Sequence, residues 1–314
     1  MKDRVLNSGF SPIIHLMTTV YHTIYAMSTQ NNKFFANFLN FFVFRCCFVW
    51  FRTKIFKILV IFVVFYQKIV YNLLMNVKMD LHTHSIASGH HTVDTVTSLA
   101  KKASKIGLDY LGITDHAPKM TGTASVNYFR NLRYADRTLY GVKMLYGVEL
   151  NVLDENGNVD LDEDVLQGLD FAIAGLHKQT FKPKSKRENT LALVNAMKNR
   201  YVIAICHPDD PLYEIDEKTL VLKAKETGTA IELSSVGVSA DGYRGYDIAR
   251  LVNLLLLCKQ HGVFITLGSD SHGVEKIGDF RNSLKLLNEL DFPYELVLNC
   301  DPEKFFDFVR NKRK

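Results

Sequence analysis

The sequence contains few cysteines, and their spacing carries little signal. There are five, at positions 46, 47, 206, 258 and 300, with no C-x-x-C pair among them. This pattern does not provide the disulfide framework of a small secreted domain. The body of the chain also lacks internal repeats and low-complexity stretches. We therefore expect reduced thiols and a cytoplasmic location.

Acidic residues are nearly absent from the first quarter of the chain. Residues 1–78 contain nine Lys and Arg but a single acid, Asp3, which gives this segment a formal charge of +8. Subtracting them from the 38 basic and 33 acidic residues of the whole chain leaves 29 and 32, or −3. A mildly acidic body is not expected to hold nucleic acid by bulk charge.

The same N-terminal segment is rich in aromatic residues, which are scarcer elsewhere. Residues 1–74 hold twelve of the 21 Phe and the single Trp. Its two apolar runs, within residues 34–66, are interrupted by Arg and Lys, whereas a membrane-spanning helix needs about 20 apolar residues with few charges. Residues 55–74 meet that need only if Lys57 and Lys68 extend to the two membrane interfaces. No small-residue cleavage site follows, so the segment is not a signal peptide.

Three explanations of this segment stay open. Phe, Ile, Asn, Lys and Tyr dominate it, as in translated AT-rich DNA, which is explained if the start is mis-assigned and Met75 or Met79 is the true one. Alternatively, residues 34–74 anchor the protein in a membrane, or the segment is a soluble helical extension. We divide the chain into a hydrophobic, basic extension, residues 1–74, and a second domain, residues 75–314.

From Met75 onward, short apolar runs alternate with amphipathic stretches, a pattern typical of βα units in a parallel sheet. The predicted strands are Val77–His82, Tyr110–Thr114, Met144–Glu149, Phe171–Leu176, Val202–Cys206, Ala230–Ser234 and Val263–Leu267. The predicted helices include Val93–Ile106, Glu188–Lys198, Asp216–Thr227, Tyr246–Gln260 and Glu275–Leu290, followed by a short strand, Tyr294–Asn299, and a closing helix, Pro302–Arg310. Seven such units favour a closed or nearly closed barrel, whose strand-end loops meet at one mouth.

Six of the seven predicted strands are followed by side chains that suit a divalent metal. These residues are His82, His84 and His90 or His91, then Asp115 and His116, Glu149, His177, His207, and finally Asp270 and His272. His82 and His84 project to the same face because side chains alternate along a strand. A single His at a strand end is more often a solvent-facing or capping residue. Seven of the eleven His at such positions are hard to attribute to chance.

Three further residues, Asp80, Cys206 and His261, are given other roles. Asp80 shares the parity of His82 and His84, so we expect it to orient one of their rings from behind. Cys206 is adjacent to the candidate ligand His207, so in a regular strand its side chain would point to the opposite face. We therefore predict that Cys206 lies in the core. The sixth strand offers only Ser234 and Ser235 at its end. His261 precedes a glycine at a helix C-terminus, where an imidazole complements the helix dipole.

These residues resemble the polymerase and histidinol phosphatase (PHP) superfamily. The matching pattern is Asp80-Leu-His82-Thr-His84, Thr114-Asp115-His116, Glu149, His177, His207-Pro208 and Gly268-Ser-Asp270-Ser-His272. Finer details resemble the stand-alone YcdX-like zinc phosphatases: Ala-Ser-Gly-His90, Ile-Ala-Gly-Leu-His177, Tyr213-Glu-Ile-Asp216 and Asp291-Phe-Pro. The resemblance spans the whole body from about Met75. It implies an α/β fold, a distorted seven-stranded TIM-like barrel, with three metal ions at its mouth.

Position by position, the resemblance implies nine metal ligands, His82, His84, His90, His116, Glu149, His177, His207, Asp270 and His272. Glu149 would bridge two ions. The choice of His90 over His91 rests on this alignment, and His91 is the alternative. The His-rich set suits Zn²⁺, while the carboxylates also tolerate Mn²⁺ or Fe²⁺.

Nine ligands exceed what one ion can use, and neighbouring ions about 3.5–4 Å apart suit phosphoester chemistry. We predict a metal-dependent phosphatase in which a hydroxide bridging the ions attacks the phosphorus of a small phosphomonoester. Asp270, Glu149 and His207 are the predicted catalytic residues. Either Asp270 or a metal-bound water would give a proton to the leaving alcohol.

Basic residues in three loops are candidates to bind the phosphorylated substrate. Lys119, Lys178 and Arg244 follow the second, fourth and sixth strands, although each also fits a solvated loop charge. Two stretches, Ala117–Ser125 and Val236–Gly245, are long enough to act as lids.

Several rival functions remain. A nuclease acting on oligonucleotide ends would use the same chemistry with few contacts, and the substrate could be histidinol phosphate, a sugar phosphate or a nucleotide. An amidohydrolase is disfavoured because it would place a carboxylated Lys or comparable group after the fourth strand, where this chain has His177. A metal-stabilised binding module without activity is the non-enzymatic alternative.

Overall fold

A computed structural model describes residues 76–239 and 247–314 of the chain. The predictions for residues 1–74 and for Arg244 lie outside the described residues, as does most of the second predicted lid. Among the helices of the described ranges, none is both long enough and apolar enough to cross a membrane.

The described ranges contain eleven strands, most of them short. They are β1 Met79–Asp80, β2 Thr83–His84, β3 Tyr110–Ile113, β4 Thr138–Leu139, β5 Val142–Tyr146, β6 Val148–Asn151, β7 Ala172–Gly175, β8 Val202–Ile205, β9 Ala230–Ser234, β10 Ile265–Gly268 and β11 Ser271–His272. Each predicted strand of the barrel overlaps at least one of these.

The same ranges contain eight α-helices and four 3-10 helices. The α-helices are α1 Val96–Ile106, α2 Val126–Asn131, α3 Glu163–Leu166, α4 Lys186–Ala196, α5 Glu217–Thr227, α6 Ile248–His261, α7 Arg281–Glu289 and α8 Pro302–Lys312. The 3-10 helices are Ile86–Ser88, Leu132–Tyr134, Tyr294–Leu296 and Leu298–Cys300. Helices α1, α5 and α6 end at Gly107, Gly228 and Gly262, because each glycine adopts the left-handed conformation of a C-cap.

The strands form three sheets. Their orders are β1-β3-β5-β4, β10-β9-β8-β7-β6 and β11-β2. Apart from β4 with β5, all of these neighbours pair in parallel. The predicted α/β architecture with parallel strands is therefore confirmed, while a single seven-stranded barrel stays a prediction.

The third predicted strand, Met144–Glu149, is divided at Gly147 into β5 and β6, which belong to different sheets. The amide of Gly147 donates to the carbonyl of Ile113 at 2.9 Å. A Cβ at this position would lie 2.8 Å from the carbonyl oxygen of Phe171. Glycine thus allows the close backbone approach at the point where the chain passes from one sheet to the next.

Asn299 links β1 to β10, which do not pair directly. Its Nδ2 donates to the carbonyls of Met79 at 2.9 Å and Leu267 at 2.8 Å, and its Oδ1 accepts from the amide of Leu267 at 2.7 Å. The prediction of a strand at Tyr294–Asn299 is wrong, because the segment bends into two 3-10 helices. That bend places the side-chain amide of Asn299 between β1 and β10. Its hydrogen bonds link the two strands in place of direct backbone pairing.

Buried apolar residues form two clusters. The larger packs helices against the strands. The smaller joins residues of several strands, including Leu145 and Phe171, to Phe305 and Val309 of α8. The rings of Phe171 and Phe305 meet edge to face at 5.8 Å. Cys206 belongs to the smaller cluster, so its predicted burial is confirmed.

Candidate metal centre

One buried carboxylate, that of Glu149 on β6, is surrounded by imidazoles. Its Oε1 lies 2.9 Å from Nε2 of His177 and 2.7 Å from Nε2 of His207. Its Oε2 lies 2.7 Å from Nδ1 of His116 and 3.4 Å from Nε2 of both His82 and His84. Five histidines from distant parts of the chain therefore converge on a single side chain, as the strand-end argument predicted.

The remaining predicted ligands extend the same cluster. Asp270 Oδ1 lies 3.1 Å from Nε2 of His84, and Nε2 of His272 lies 3.2 Å from Nε2 of His90. The rings of His90 and His116 stack with centroids 4.9 Å apart. The structure thus brings all nine predicted ligand residues together.

His90 and His91 occupy different positions relative to the cluster. The half-buried His90 contacts His272 directly, whereas His91 is exposed and its ring centroid lies 6.0 Å from that of His272. His91 also has a φ of 56°, in the left-handed region. The geometry therefore favours His90 over His91 as the ligand.

Strand pairing and unusual backbone conformations position the ligands. His84 and His272 are register partners in the parallel pair of β2 and β11, and a bridge joins His116 to Glu149. His207 and Asp270 have φ values of 34° and 50°. Non-glycine residues in this region are strained, and such strain is concentrated at functional sites.

Hydrogen bonds at Nδ1 fix the orientation of two of the imidazoles. Ser88 Oγ donates to Asp115 Oδ1 at 2.7 Å, so it accepts from Nδ1 of His84 at 2.9 Å. Asn151 Nδ2 donates to Ala117 O and to Asp160, which leaves its Oδ1 to accept from Nδ1 of His177 at 2.7 Å. These contacts place the Nε2 lone pairs of His84 and His177 in the cluster.

Glu232 is a functional residue that the sequence argument missed. It lies within β9, is buried, and its Oε1 is 2.7 Å from Nδ1 of His82. Its Oε2 accepts from the amide of His207 at 2.9 Å. The sequence does contain a signal for it, a single acidic residue inside the apolar run Ala-Ile-Glu-Leu-Ser. The prediction considered only residues at strand ends and so did not include Glu232.

The role predicted for Asp80 is wrong. Its carboxylate accepts from the amides of His82 at 3.3 Å, Ser269 at 3.1 Å and Gly278 at 2.9 Å, and it orients no ring among these contacts. Asp80 instead ties the start of the His-x-His segment to the loop after β10. Glu232 has the ring-orienting role that the parity argument assigned to Asp80.

The pKa values of Glu149 and of two imidazoles in the cluster are held below their usual ranges. Burial alone would raise the pKa of Glu149, but His116, His177 and His82 outweigh it and hold that pKa well below its usual range. Burial, with His272 and His116 adding to it, holds the pKa of His84 well below its usual range. Burial also lowers the pKa of His116 to about 4. Neutral imidazole is the form that binds metal.

His82 is different because several carboxylates face it. Burial alone would lower the pKa of its imidazole, but Glu232, Asp270 and Glu149 outweigh burial and raise that pKa well above its ordinary value. A cation at the Nε2 of His82 satisfies these carboxylates in the same way as a proton does. The ring is thus set in an environment that favours positive charge.

The donor set fits divalent metal ions. The Nε2 atoms of His82 and His84 face each other at 3.0 Å, although Nδ1 of each has a partner of its own. Glu149 Oε2 makes no hydrogen bond of acceptable geometry among the described residues, despite the nearby imidazole nitrogens. Acceptor atoms crowded together in this way are stabilised by a cation. Imidazole and carboxylate are the donors that zinc and related metals prefer.

Four groups of donor atoms within 4.8 Å of one another lie in this region. The groups are His84 with His116 and His272, His82 with His84 and Glu149, His116 with Glu149 and His177, and Glu149 with Cys206 and His207. Glu149 belongs to three of the four. The arrangement therefore extends beyond what a single ion can use.

The predicted substrate-binding lysines are exposed. Lys178 directly follows His177 at the end of β7, and Lys119 lies in the loop after β3. The backbone amide of Lys119 donates to Asp160 at 2.9 Å, which fixes the loop but leaves its ammonium group to solvent. Both lysines thus remain candidates.

The first predicted lid, Ala117–Ser125, is held in place by hydrogen bonds. The amide of Ala117 donates to the carbonyl of Glu149 at 2.9 Å, that of Thr121 to Gln179 Oε1 at 3.1 Å, and that of Ala124 to the carbonyl of Ala87 at 2.8 Å. The segment is thus anchored at both ends and in its middle, and its role as a lid stays a prediction.

Comparison with known proteins gives a consistent assignment. Residues 80–240 match the model of the PHP domain family. A probable phosphatase of Clostridium novyi (strain NT) is 42% identical over 240 residues, which are 76% of this chain and 97% of that protein. A probable phosphatase of Acetivibrio thermocellus is 41% identical over 243 residues, 76% of this chain and 98% of that protein.

Among solved structures, the chain is similar to a histidinol phosphate phosphatase from Lactococcus lactis complexed with Zn, L-histidinol and phosphate. That comparison has a TM-score of 0.49 and 18% identity, and covers 69% of this chain and 95% of the other. The family assignment stands on the sequence matches alone. With a matching family model and 42% identity over nearly the whole of a relative, this chain belongs to the PHP domain family.

Proposed function

We propose that this chain is a metal-dependent phosphatase that hydrolyses a small phosphomonoester. The observation that carries the proposal is Glu149, whose two carboxylate oxygens face five imidazoles in a buried site. Relatives that the chain covers almost completely are named probable phosphatases. Clustered divalent ions bridged by a carboxylate suit phosphoester hydrolysis.

Three ions are proposed, with Glu149 shared between them. His82, His84 and Asp270 would hold the first, and His177 and His207 the second. The third would be held by the outer imidazoles, those of His90, His116 and His272. Zn²⁺ suits this His-rich set, and Mn²⁺ or Fe²⁺ are alternatives.

When bound, the ions activate water and neutralise the phosphoryl oxygens. The residues of the chain hold the site ready for that chemistry. Glu232 fixes the ring of His82, Ser88 fixes that of His84, and Asn151 fixes that of His177. Preorganised donors need no rearrangement in the transition state, which is how such sites lower a barrier.

Asp270 is proposed to transfer the proton. Its Oδ1 lies among the imidazoles, 3.1 Å from His84 Nε2 and 3.5 Å from His82 Nε2, and its backbone amide is fixed by the carbonyl of His82 at 2.8 Å. In that position it takes the proton of the attacking water and returns it to the leaving alcohol. Lys119, Lys178 and Arg244 are proposed to contact the substrate outside this centre.

Hydrolysis of p-nitrophenyl phosphate tests the proposal. Protein loaded with Zn²⁺ or Mn²⁺ should release p-nitrophenol, a chelator should stop the reaction, and added metal should restore it. His84→Ala should lower turnover by at least about 100-fold, because it removes a ligand shared by two donor groups. His261→Ala is the matched control, since His261 ends α6 outside the cluster.

A diester substrate separates the proposed reaction from its rival. If the site serves a monoester, kcat/KM for p-nitrophenyl phosphate should exceed that for bis-p-nitrophenyl phosphate. The reverse preference would favour the nuclease alternative. A fully loaded protein that cleaves neither ester, nor any member of a phosphate-ester panel, would refute the phosphatase.

A further inference from the structure

The thiol of Cys206 lies beside the metal-binding carboxylate. Its Sγ is 3.2 Å from Oε1 of Glu149, the same oxygen that faces His207 Nε2 at 2.7 Å and His177 Nε2 at 2.9 Å. Cys206 is only 1% exposed. A buried sulfur thus shares one acceptor with two predicted ligands.

Cys206 and His207 face the cluster although they are adjacent in sequence. Side chains normally alternate along a strand, so neighbours point to opposite faces. His207, however, lies just past β8 and has a φ of 34°. This left-handed turn breaks the alternation and directs the imidazole back toward Glu149. The parity argument therefore predicted the burial of Cys206 correctly but not the position of its sulfur.

Gly175 makes room for the pair. A Cβ at this position would lie 2.7 Å from the sulfur of Cys206 and 2.8 Å from Cε1 of His207, both too close for any side chain. The end of β7 is thus shaped so that the thiol and the imidazole lie side by side.

The distances suit a zinc ion. Typical Zn–S and Zn–O bond lengths at a tetrahedral angle separate sulfur from oxygen by about 3.5 Å. The sulfur of Cys206 lies 3.2 Å from Glu149 Oε1, and the donor atoms of Cys206, Glu149 and His207 lie within 4.8 Å of one another. The other oxygen of Glu149 is buried and accepts no hydrogen bond of acceptable geometry from the described part of the chain, which independently indicates a cation at this carboxylate.

We propose that Cys206 is a tenth metal ligand, which binds as a thiolate to the ion held by Glu149 and His207. The inference rests on the metal centre of the proposed function but not on its phosphatase activity. On binding, the S–H proton is released to solvent and a sulfur–metal bond forms. A soft sulfur donor makes this position more selective for Zn²⁺ than imidazole and carboxylate alone.

Cobalt substitution tests the proposal by spectroscopy. Co²⁺-loaded protein should show the intense near-ultraviolet sulfur-to-cobalt charge-transfer band, and Cys206→Ser and Cys206→Ala should lose it. Cys258→Ser and Cys300→Ser are matched controls and should keep the band. Absence of the band from the native chain, or its persistence in both Cys206 variants, would overturn the proposal.

Alkylation of the protein with its native sequence tests the same proposal without a substitution. Zn²⁺ should lower the rate at which iodoacetamide modifies the peptide containing Cys206 by at least about tenfold, measured by mass spectrometry against the chelated protein. An equal rate in both states would count against metal binding by this thiol. The Cys258 peptide gives the internal reference for any general effect of zinc on the fold.

The outcomes separate the two proposals. A sulfur-to-cobalt band in a protein that hydrolyses no phosphoester would uphold Cys206 as a ligand and refute the phosphatase. Phosphatase activity without the band would refute only the role of Cys206.

Discussion

Glu232 Oε1 lies 2.7 Å from Nδ1 of His82, although the two residues are 150 positions apart in the chain. The other oxygen of Glu232 accepts from the backbone amide of His207 at 2.9 Å. One buried carboxylate therefore positions two predicted metal ligands that come from different strands. Carboxylates behind a ligating imidazole fix its orientation and increase its basicity.

Glu232→Gln should weaken metal binding by about 10- to 100-fold, because the amide lacks the charge that favours a cation at His82. Competition with a chromophoric chelator measures the affinity. Glu289→Gln, at the exposed end of α7, is the control. An affinity equal to that of the unmodified protein would show that Glu232 does not support the centre.

His90 and His91 form a matched pair of adjacent imidazoles. His90→Ala should lower the number of bound ions by one, because His90 contacts His272 in the cluster. His91→Ala should leave the number unchanged. Elemental analysis of the metal-loaded proteins counts the ions, and a loss confined to His91→Ala would reverse the assignment.

Gly175→Ala should disrupt the site between β7 and β8, since the new Cβ would lie 2.7 Å from the sulfur of Cys206 and 2.8 Å from the ring of His207. Overpacking of this kind costs about 1–3 kcal/mol. Gly168→Ala is the control, because a Cβ there meets only ordinary contact at 3.4 Å. Urea unfolding gives the stability of both, and equal midpoints would contradict the close packing.

Asn299→Ala should lower the free energy of unfolding by about 3–5 kcal/mol, because it leaves buried backbone groups of Met79 and Leu267 without partners. Urea denaturation measures this loss. Asn288→Ala, on the partly exposed part of α7, provides the comparison. A similar small effect of both substitutions would show that the side-chain amide is not what joins β1 to β10.

The metal-free protein should lose stability as acid is added below pH 6.5. Burial lowers the pKa of His116 from 6.5 to about 4, so the unfolded chain binds the proton more readily than the folded one within that window. For each proton that the chain takes up on unfolding, the free energy of unfolding decreases by about 1.4 kcal/mol per unit decrease in pH. The folded protein is therefore less stable at lower pH. The raised pKa of His82 acts at higher pH, because its stabilising contribution is complete below pH 6.5 and is lost as the pH rises through that raised pKa.

The substitution His116→Gln isolates the contribution of His116 to the pH dependence of stability. In excess chelator, the variant should show a shallower fall in the free energy of unfolding between pH 6.5 and 4 than the native chain. Urea unfolding at several pH values measures both slopes. Equal slopes would mean that His116 does not stay neutral in the folded state.

Local rules were sufficient to predict much of the fold and most of the centre. Strand alternation placed His82 and His84 on one face, and the left-handed preference of glycine placed the ends of α1, α5 and α6. The repeated appearance of ligand residues after strands indicated a shared mouth. Each of these inferences depends on residues close together in sequence.

Other features depend on which distant side chain arrives beside a given residue. Glu232 and Asn299 act on partners from other strands, and nothing in their own neighbourhood identifies those partners. The division of one predicted strand at Gly147 depends on the close approach of Phe171. Likewise, Asp80 is two residues before His82, so strand alternation places its side chain on the same face as the imidazole. Its hydrogen-bond partners are nevertheless backbone amides.

The sequence by itself determined the kinds of ligand, their order and the strands that present them, because periodicity and glycine conformation are local properties. Only the tertiary structure decided which atoms meet: the carboxylate of Glu232 with the ring of His82, and the sulfur of Cys206 with the carboxylate of Glu149. Such contacts arise from long-range packing and from left-handed turns such as that at His207. No local pattern encodes the distance between residues that lie far apart in the chain.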